Sequence, residues 1–251
     1  MKKIAHLSLL LGWQDLRQAY RRSVVGPFWI TAGMIIQIAA MGVVFTVIFK
    51  ASSEEYIPFL AVGIIVWSFI SASLSESCNS LINSEAMIRQ LDLAPMIYIF
   101  RTVWKNVLTF AHHLVILPIL FLILQSPLNL NLFLVIPGLF LLLINILWIA
   151  MLLAIISARY RDVPPIVGSL LAIIFYVTPV MWFPSLLPAG AAHLVLGLNP
   201  FYHLMQIVRL PLLGQVPTME NWSLSVAFAL VGGLVSYFIY RQFRTRIPYW
   251  I

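Results

Sequence analysis

Long uncharged runs alternate with short charged turns along this chain. No Asp, Glu, Lys or Arg falls within residues 28–49, 56–75, 106–158, 163–183 or 222–240. At about 1.5 Å of rise per residue, roughly 20 apolar residues cover the ~30 Å hydrocarbon core of a bilayer, so each run predicts a membrane-spanning helix. The 106–158 run is long enough for two, and QSPLNLN at 125–131 is the turn that divides it. The pattern predicts an all-α integral membrane protein forming a single transmembrane domain over 1–251, with spans at 28–49, 56–81, 97–124, 132–157, 163–183 and 222–240. Residues 184–221 are also apolar, but Pro188, Gly190, Gly197, Pro200, Pro211, Gly214 and Pro217 interrupt them. Without a clean length to cross on, this stretch reads as an outer re-entrant segment, with Arg209 standing alone in it.

The fifth span is the element around which the rest is arranged. It opens on a charged turn holding Arg159, Arg161 and Asp162, and Pro164-Pro165 fall where a first helical turn leaves N–H groups unpaired in any case. Pro179 breaks the span towards its far end. Freed backbone in lipid is tolerated only against protein or water, so 176–182 either lines a cavity or forms a kink absorbed by neighbouring helices.

Two other segments are amphipathic. In 1–26, Trp13, Leu16 and Tyr20 share a helical face, with Asp15, Arg17, Arg21 and Arg22 around the rest, which predicts a helix on the cytoplasmic membrane surface. No small-residue cleavage site follows its apolar patch, so it is not read as a signal peptide. Between spans two and three, NSEAMIRQLDLAP at 83–95 offers Ser84 as a cap, Glu85 at the positive helix end, and Met87, Ile88 and Leu91 as an apolar face. Such a helix either docks into a groove on a soluble partner or rests on lipid headgroups. Glu76, near the cytoplasmic end of span two, is expected to pair with Arg101 or Lys105.

Composition agrees with the pattern. Of 251 residues, 62% are hydrophobic and 9% charged, against about 25% charged in soluble domains. The net charge of +7 does not call for nucleic acid. With both termini inside, 13 of the 15 basic residues lie on the cytoplasmic side, and only Lys50 and Arg209 lie outside. A seventh span through 194–213 would export the last arginines and spoil that asymmetry. The single cysteine, Cys78, excludes an internal disulfide.

Candidate chemistry is sparse. His112-His113 point about 100° apart on a helix and have no acid or thiol at ligand spacing, so they predict polar packing and no metal. The acids are scattered, with no nucleophile–base pair of the kind an embedded enzyme needs. The lysines follow Met1, Lys2, Phe49 and Trp104, never the glycine that a GxxxxGK[ST] phosphate loop requires. Energy from ATP would therefore have to arrive through a partner, and 83–95 is the place to look.

Four stretches together resemble one family: DLRQAYRRSVVGPFW at 15–29, LINSEAMIRQLDLAP at 81–95, RYRDVPPIVGSLLAIIFYVTPVMW at 159–182 and LNPFYHLMQIVRLPLLG at 198–214. In that order they are similar to the permease subunits of type-2 ATP-binding-cassette exporters of lipid-linked polysaccharides such as O-antigen, capsule and teichoic acid. The resemblance implies a homodimer in the bacterial cytoplasmic (inner) membrane, with each copy bound to a separate ATPase subunit that holds the ATP and Mg. No cofactor is then expected in this chain. It assigns the first helix to the ATPase interface and 81–95 to the coupling helix, with Glu85, Met87, Ile88, Arg89, Leu91 and Asp92 as coupling residues.

A polymer on a diphosphate anchor is too large to be enclosed, so a continuous path between two copies is expected. Aromatic rings can hold the C–H faces of sugars, and Tyr56, Trp67, Phe175, Tyr176, Trp182, Phe183 and Tyr202 are the candidates, with lipid contact as the competing role. Arg17, Arg21, Arg22, Arg159 and Arg161 are the candidate receptors for the anchor at the cytoplasmic entrance, or else serve only to orient the chain. A permease for a small lipid or drug, using the same docking parts, and a membrane scaffold without transport are the other readings.

Overall fold

The computed structural model describes residues 2–21, 26, 28–50, 52–91, 93–124 and 129–251. Among them the regular elements are helical. They are α1 (Lys2–Tyr20), α2 (Phe28–Phe49), α3 (Ser53–Ser80), α4 (Glu85–Gln90), α5 (Met96–Leu114), α6 (Ile116–Ile123), α7 (Val135–Arg159), α8 (Val163–Val177), α9 (Ala189–Gly197), α10 (Pro200–Leu212), α11 (Met219–Phe243) and α12 (Ile247–Trp250). Among the described residues, five stretches are long and apolar enough to cross a membrane: Trp29–Phe49, Ser53–Ser80, Met96–Ile123, Leu130–Arg159 and Met219–Phe243. The shorter α8 is equally apolar. The protein is an all-α integral membrane protein.

α3 is the centre of the bundle and packs on α2, α5, α7, α8 and α10. It is apolar on nearly every side, as a helix surrounded by others must be, and Leu60, Ile65, Ile70 and Leu74 are almost wholly buried. Its partly exposed positions in the middle, Ser68, Ser71, Ala72 and Ser75, recur at helical spacing and make one narrow open stripe. α2 is the opposite case: Ile36, Val43 and Val47 are exposed on a helix held chiefly by α3.

Prolines explain the breaks. Pro118 has no N–H to offer the Leu114 carbonyl, and the helix is interrupted at Val115, between α5 and α6. α8 ends at Val177, well short of Phe183 where the span was expected to end, because Thr178 precedes Pro179 and is pushed into an extended conformation (φ −82°, ψ 133°). The chain then turns back through α9 into α10. Asn199 caps α10 by accepting from the Phe201 and Tyr202 N–H groups at 3.0 and 3.3 Å, and its amide donates to Thr178 Oγ1 at 2.9 Å. α10 is buried from His203 to Arg209 among α3, α7 and α11.

Two local expectations are corrected by packing. α1 turns Ser8, Gly12 and Leu16 onto α5, while Trp13, expected beside Leu16, is half exposed along with Leu9 and Leu10. Ser8 Oγ donates to the Ile97 carbonyl at 3.1 Å. Ser84 does not cap α4 with its side chain, since its hydroxyl reaches back to the Ser80 carbonyl at 2.7 Å.

Candidate coupling face and aromatic groove

Four separate segments meet at the end of the bundle where α3 gives way to α4. Asp15 of α1 accepts two hydrogen bonds from Arg101 of α5, both at 2.5 Å, with the two side chains 24% and 21% exposed. This is the paired, fork-shaped geometry that makes arginine–carboxylate contacts strong. The Arg101 Nη1 also lies 3.8 Å from Met87 Sδ of α4. Arg101 is thus committed to Asp15, and Glu76 takes the other cation, with Lys105 Nζ 2.6 Å from its Oε2 and Asn106 Nδ2 donating to that oxygen at 2.8 Å.

α4 itself is divided by its contacts. Ile88 is buried in the core, so it anchors the helix, whereas Met87 and, just past the helix end, Leu91 are 41% and 50% exposed. Arg89 pairs with Glu85 at 3.0 Å and donates to the Ile251 carbonyl oxygen at 2.5 Å, tying α4 to the segment after α12. Arg159 belongs to the same corner, its guanidinium lying over the Trp250 and Tyr160 rings at 5.4 and 5.3 Å. Arg17, Arg21 and Arg161 are exposed. Arg22 and Asp92 lie outside the described residues.

Trp67, Phe175 and Tyr176, expected to border a path, are brought together in a groove of about 590 Å³ between α2, α3 and α8. The Trp67 and Phe175 rings are 5.8 Å apart and those of Phe175 and Tyr176 5.3 Å. Beside Ile64 and Leu171, the rest of the lining is polar or small: Gln37, the Ser68, Ser71 and Ser75 stripe, Ala72, Gly168 and Ala172. Ser68 and Ser71 donate to carbonyls of their own helix at 2.9 and 3.4 Å, which leaves their oxygen lone pairs free to accept. The serine stripe was visible in the sequence as a 3–4 spacing inside an apolar span, and it was not read as a site.

The other expected aromatics lie towards the far end of α3. Tyr56 has no exposed surface, its hydroxyl donates to the Met181 carbonyl at 2.6 Å, and its ring packs edge-on to Phe183 at 5.7 Å, so it braces the 178–183 turn from inside. Phe183 packs on Phe59 at 4.6 Å. Trp182 Nε1 donates to the Tyr176 carbonyl at 3.1 Å, and Tyr202 lies against its neighbour His203. Arg209, read from the sequence as an outside charge, is completely buried. It donates from Nη1 to the Pro179 carbonyl at 2.7 Å, touches Met205 Sδ through Nη2, and lies 4.3 Å over the Phe59 ring. Among the described residues, no group of three or more His, Cys, Asp or Glu is arranged to hold a metal ion.

Comparison with known proteins fits a bundle of membrane-spanning helices. Residues 7–213 match the model of the family described as ABC-2 type transporter. One relative, the O-antigen export system permease protein RfbA of Myxococcus xanthus, is 23% identical over 200 residues, covering 79% of this chain and 77% of that protein. Since the family match runs through every helix from α1 to α10, the chain belongs to the ABC-2 type transporter family.

Proposed function

We propose that this transport permease is the membrane subunit of an ATP-driven exporter that moves a lipid-linked polysaccharide, of O-antigen or capsule type, across the cytoplasmic membrane. The observation that carries the reading is the groove between α2, α3 and α8, where aromatic rings stand beside a stripe of serine oxygens. Rings offer flat apolar faces to sugar C–H groups and serines offer acceptors to hydroxyls, so neither grips one sugar to the exclusion of the next. The relative's name, an O-antigen export permease, supports the same substrate class.

The end of the bundle carrying α4 faces the cytoplasm in this reading, because most of the basic residues gather there. A second copy would close the groove into a path. A separate ATPase subunit, holding the ATP and Mg, would dock where Met87 and Leu91 are exposed, at a helix anchored by Ile88 and linked through Arg101 to α1. Arg17, Arg21, Arg22 and Arg161 would receive the diphosphate anchor at the entrance. Arg159 serves the corner itself by lying over Trp250.

The test is deletion of the gene with a complemented control, measuring polysaccharide at the cell surface and lipid-linked polymer retained inside. Loss at the surface with accumulation inside is expected. Normal surface glycan with altered efflux of a small lipid or drug would overturn the substrate and favour the small-molecule permease.

A further inference from the structure

α4 has few holds on the bundle. Beyond the turn that leads into it, the helix it chiefly packs on is α12, and the two are tied by a 2.5 Å hydrogen bond from Arg89 Nη2 to the Ile251 carbonyl oxygen. α12 is short but firmly seated. Ile247 has no exposed surface, Ile251 is buried, and both belong to the same apolar core as Ile88. The other main neighbour of α12 is α7. There the Arg159 guanidinium lies 5.4 Å over the Trp250 ring, and Phe243, at the end of α11, packs on the same ring at 5.4 Å. α12 therefore stands between the helix offered to a partner and the last residue of α7.

The residues after Arg159 carry the contact further. The same guanidinium lies 5.3 Å over the Tyr160 ring, and the Tyr160 carbonyl accepts the Val163 N–H at 3.3 Å, which fixes the first residue of α8. Only Tyr160, Arg161 and Asp162 separate α7 from α8, and so short a turn leaves little slack. α8 then supplies Gly168, Ala172, Phe175 and Tyr176 to the groove. A contiguous series of packed and hydrogen-bonded groups thus runs from Arg89 through Ile251, Trp250 and Arg159 to the groove wall, and such a series can carry energetic coupling between separated sites. We propose that α12 is a strut through which a displacement of α4 reaches the start of α8, with Trp250 as its positioning residue. Its use rests on the export reading, which puts the ATPase at α4 and the sugar chain in the groove. The link itself belongs to the permease alone.

The test is amide hydrogen exchange, read by mass spectrometry, on the full-length protein in lipid nanodiscs with neither ATPase nor substrate present. Arg159→Gln, at an exposed position, cuts the strut at α7 and should speed exchange in 160–170 by about two- to fivefold, the scale of one lost cation–π contact. Arg89→Met cuts it at α4 and should give the same acceleration, although its own contacts are with Glu85 and Ile251. The double variant should be no faster than either single one, because both break one link. Trp250→Ala should match them, and Trp250→Phe, which keeps a ring beneath the guanidinium, should stay close to the parent protein; a loss equal to that of Trp250→Ala would take the positioning role from the ring. Acceleration confined to 85–91 and 247–251 in Arg89→Met would overturn the strut, as would additive effects in the double variant or an equal rise in α2, the sign of general loosening. The two arginine variants decide the matter if Trp250→Ala is not recovered in a monodisperse form. None of these outcomes depends on export, so normal surface glycan in the deletion strain would sink the export reading without touching the strut.

Discussion

A methyl group on Gly63 would lie 2.6 Å from the Val180 carbonyl oxygen and 3.0 Å from Arg209 Nη2. The missing side chain is what allows the turn after α8 and the buried guanidinium to lie against α3 together. Gly63→Ala is therefore expected to cost about 1–3 kcal/mol of stability, as overpacking does elsewhere. Unfolding in graded SDS measures it, and an unchanged midpoint would show that the turn yields freely. None of this was legible beforehand. A lone arginine in a stretch broken by prolines and glycines reads as an exposed loop charge, and its burial depends on Phe59 and Pro179, which are remote in sequence. The glycine likewise carried no signal inside an apolar span, because its reason is an oxygen atom of another segment.

Helices were the legible level. The runs without charge set α2, α3, α7 and α11 because burying so many apolar side chains in lipid outweighs any local preference. Helix faces were harder. Met87, Ile88 and Leu91 read as one apolar face, yet the core takes Ile88 and leaves the others outside. The same happened in α1, where Gly12 sits so close to the Arg101 carbonyl that a Cβ atom would approach it to 2.8 Å. The α1–α5 seam should therefore depend on both the glycine and the Asp15–Arg101 pair. Asp15→Ala and Arg101→Ala are expected to show a coupling of about 1 kcal/mol or more in a double-mutant cycle, the strength of a part-buried bidentate pair. Purely additive effects would demote the pair to a surface contact. Which of Arg101 and Lys105 would pair with Glu76 was open in the sequence for the same reason: the competing acid, Asp15, lies 86 residues from Arg101.

At the scale of the whole molecule, the coupling corner and the groove are joined by α3, which runs from one to the other. Met87→Glu with Leu91→Glu should leave membrane insertion intact and abolish capture of the ATPase subunit, read by co-purification, since two buried carboxylates would face an apolar pocket. Retained capture would move the docking surface elsewhere. α8 is held on one side only, touching mainly α3 and α7, with Ile166, Leu170, Ile173 and Tyr176 exposed. If a second copy covers it, Ile173→Cys in a Cys78→Ala background should cross-link into a dimer on mild oxidation, while Leu230→Cys on the outward side of α11 should not. Equal cross-linking at both positions would point to random collision in the membrane. The early end of α8 has a further consequence. Its 15 residues reach only about 22 Å at the usual helical rise, well short of the ~30 Å of hydrocarbon that flanks it. Such hydrophobic mismatch is relieved by thinning the adjacent leaflets or by covering the short helix with protein, so wherever no second copy covers α8 the edge that borders the groove is where the bilayer would thin and the barrier to a polar headgroup would fall.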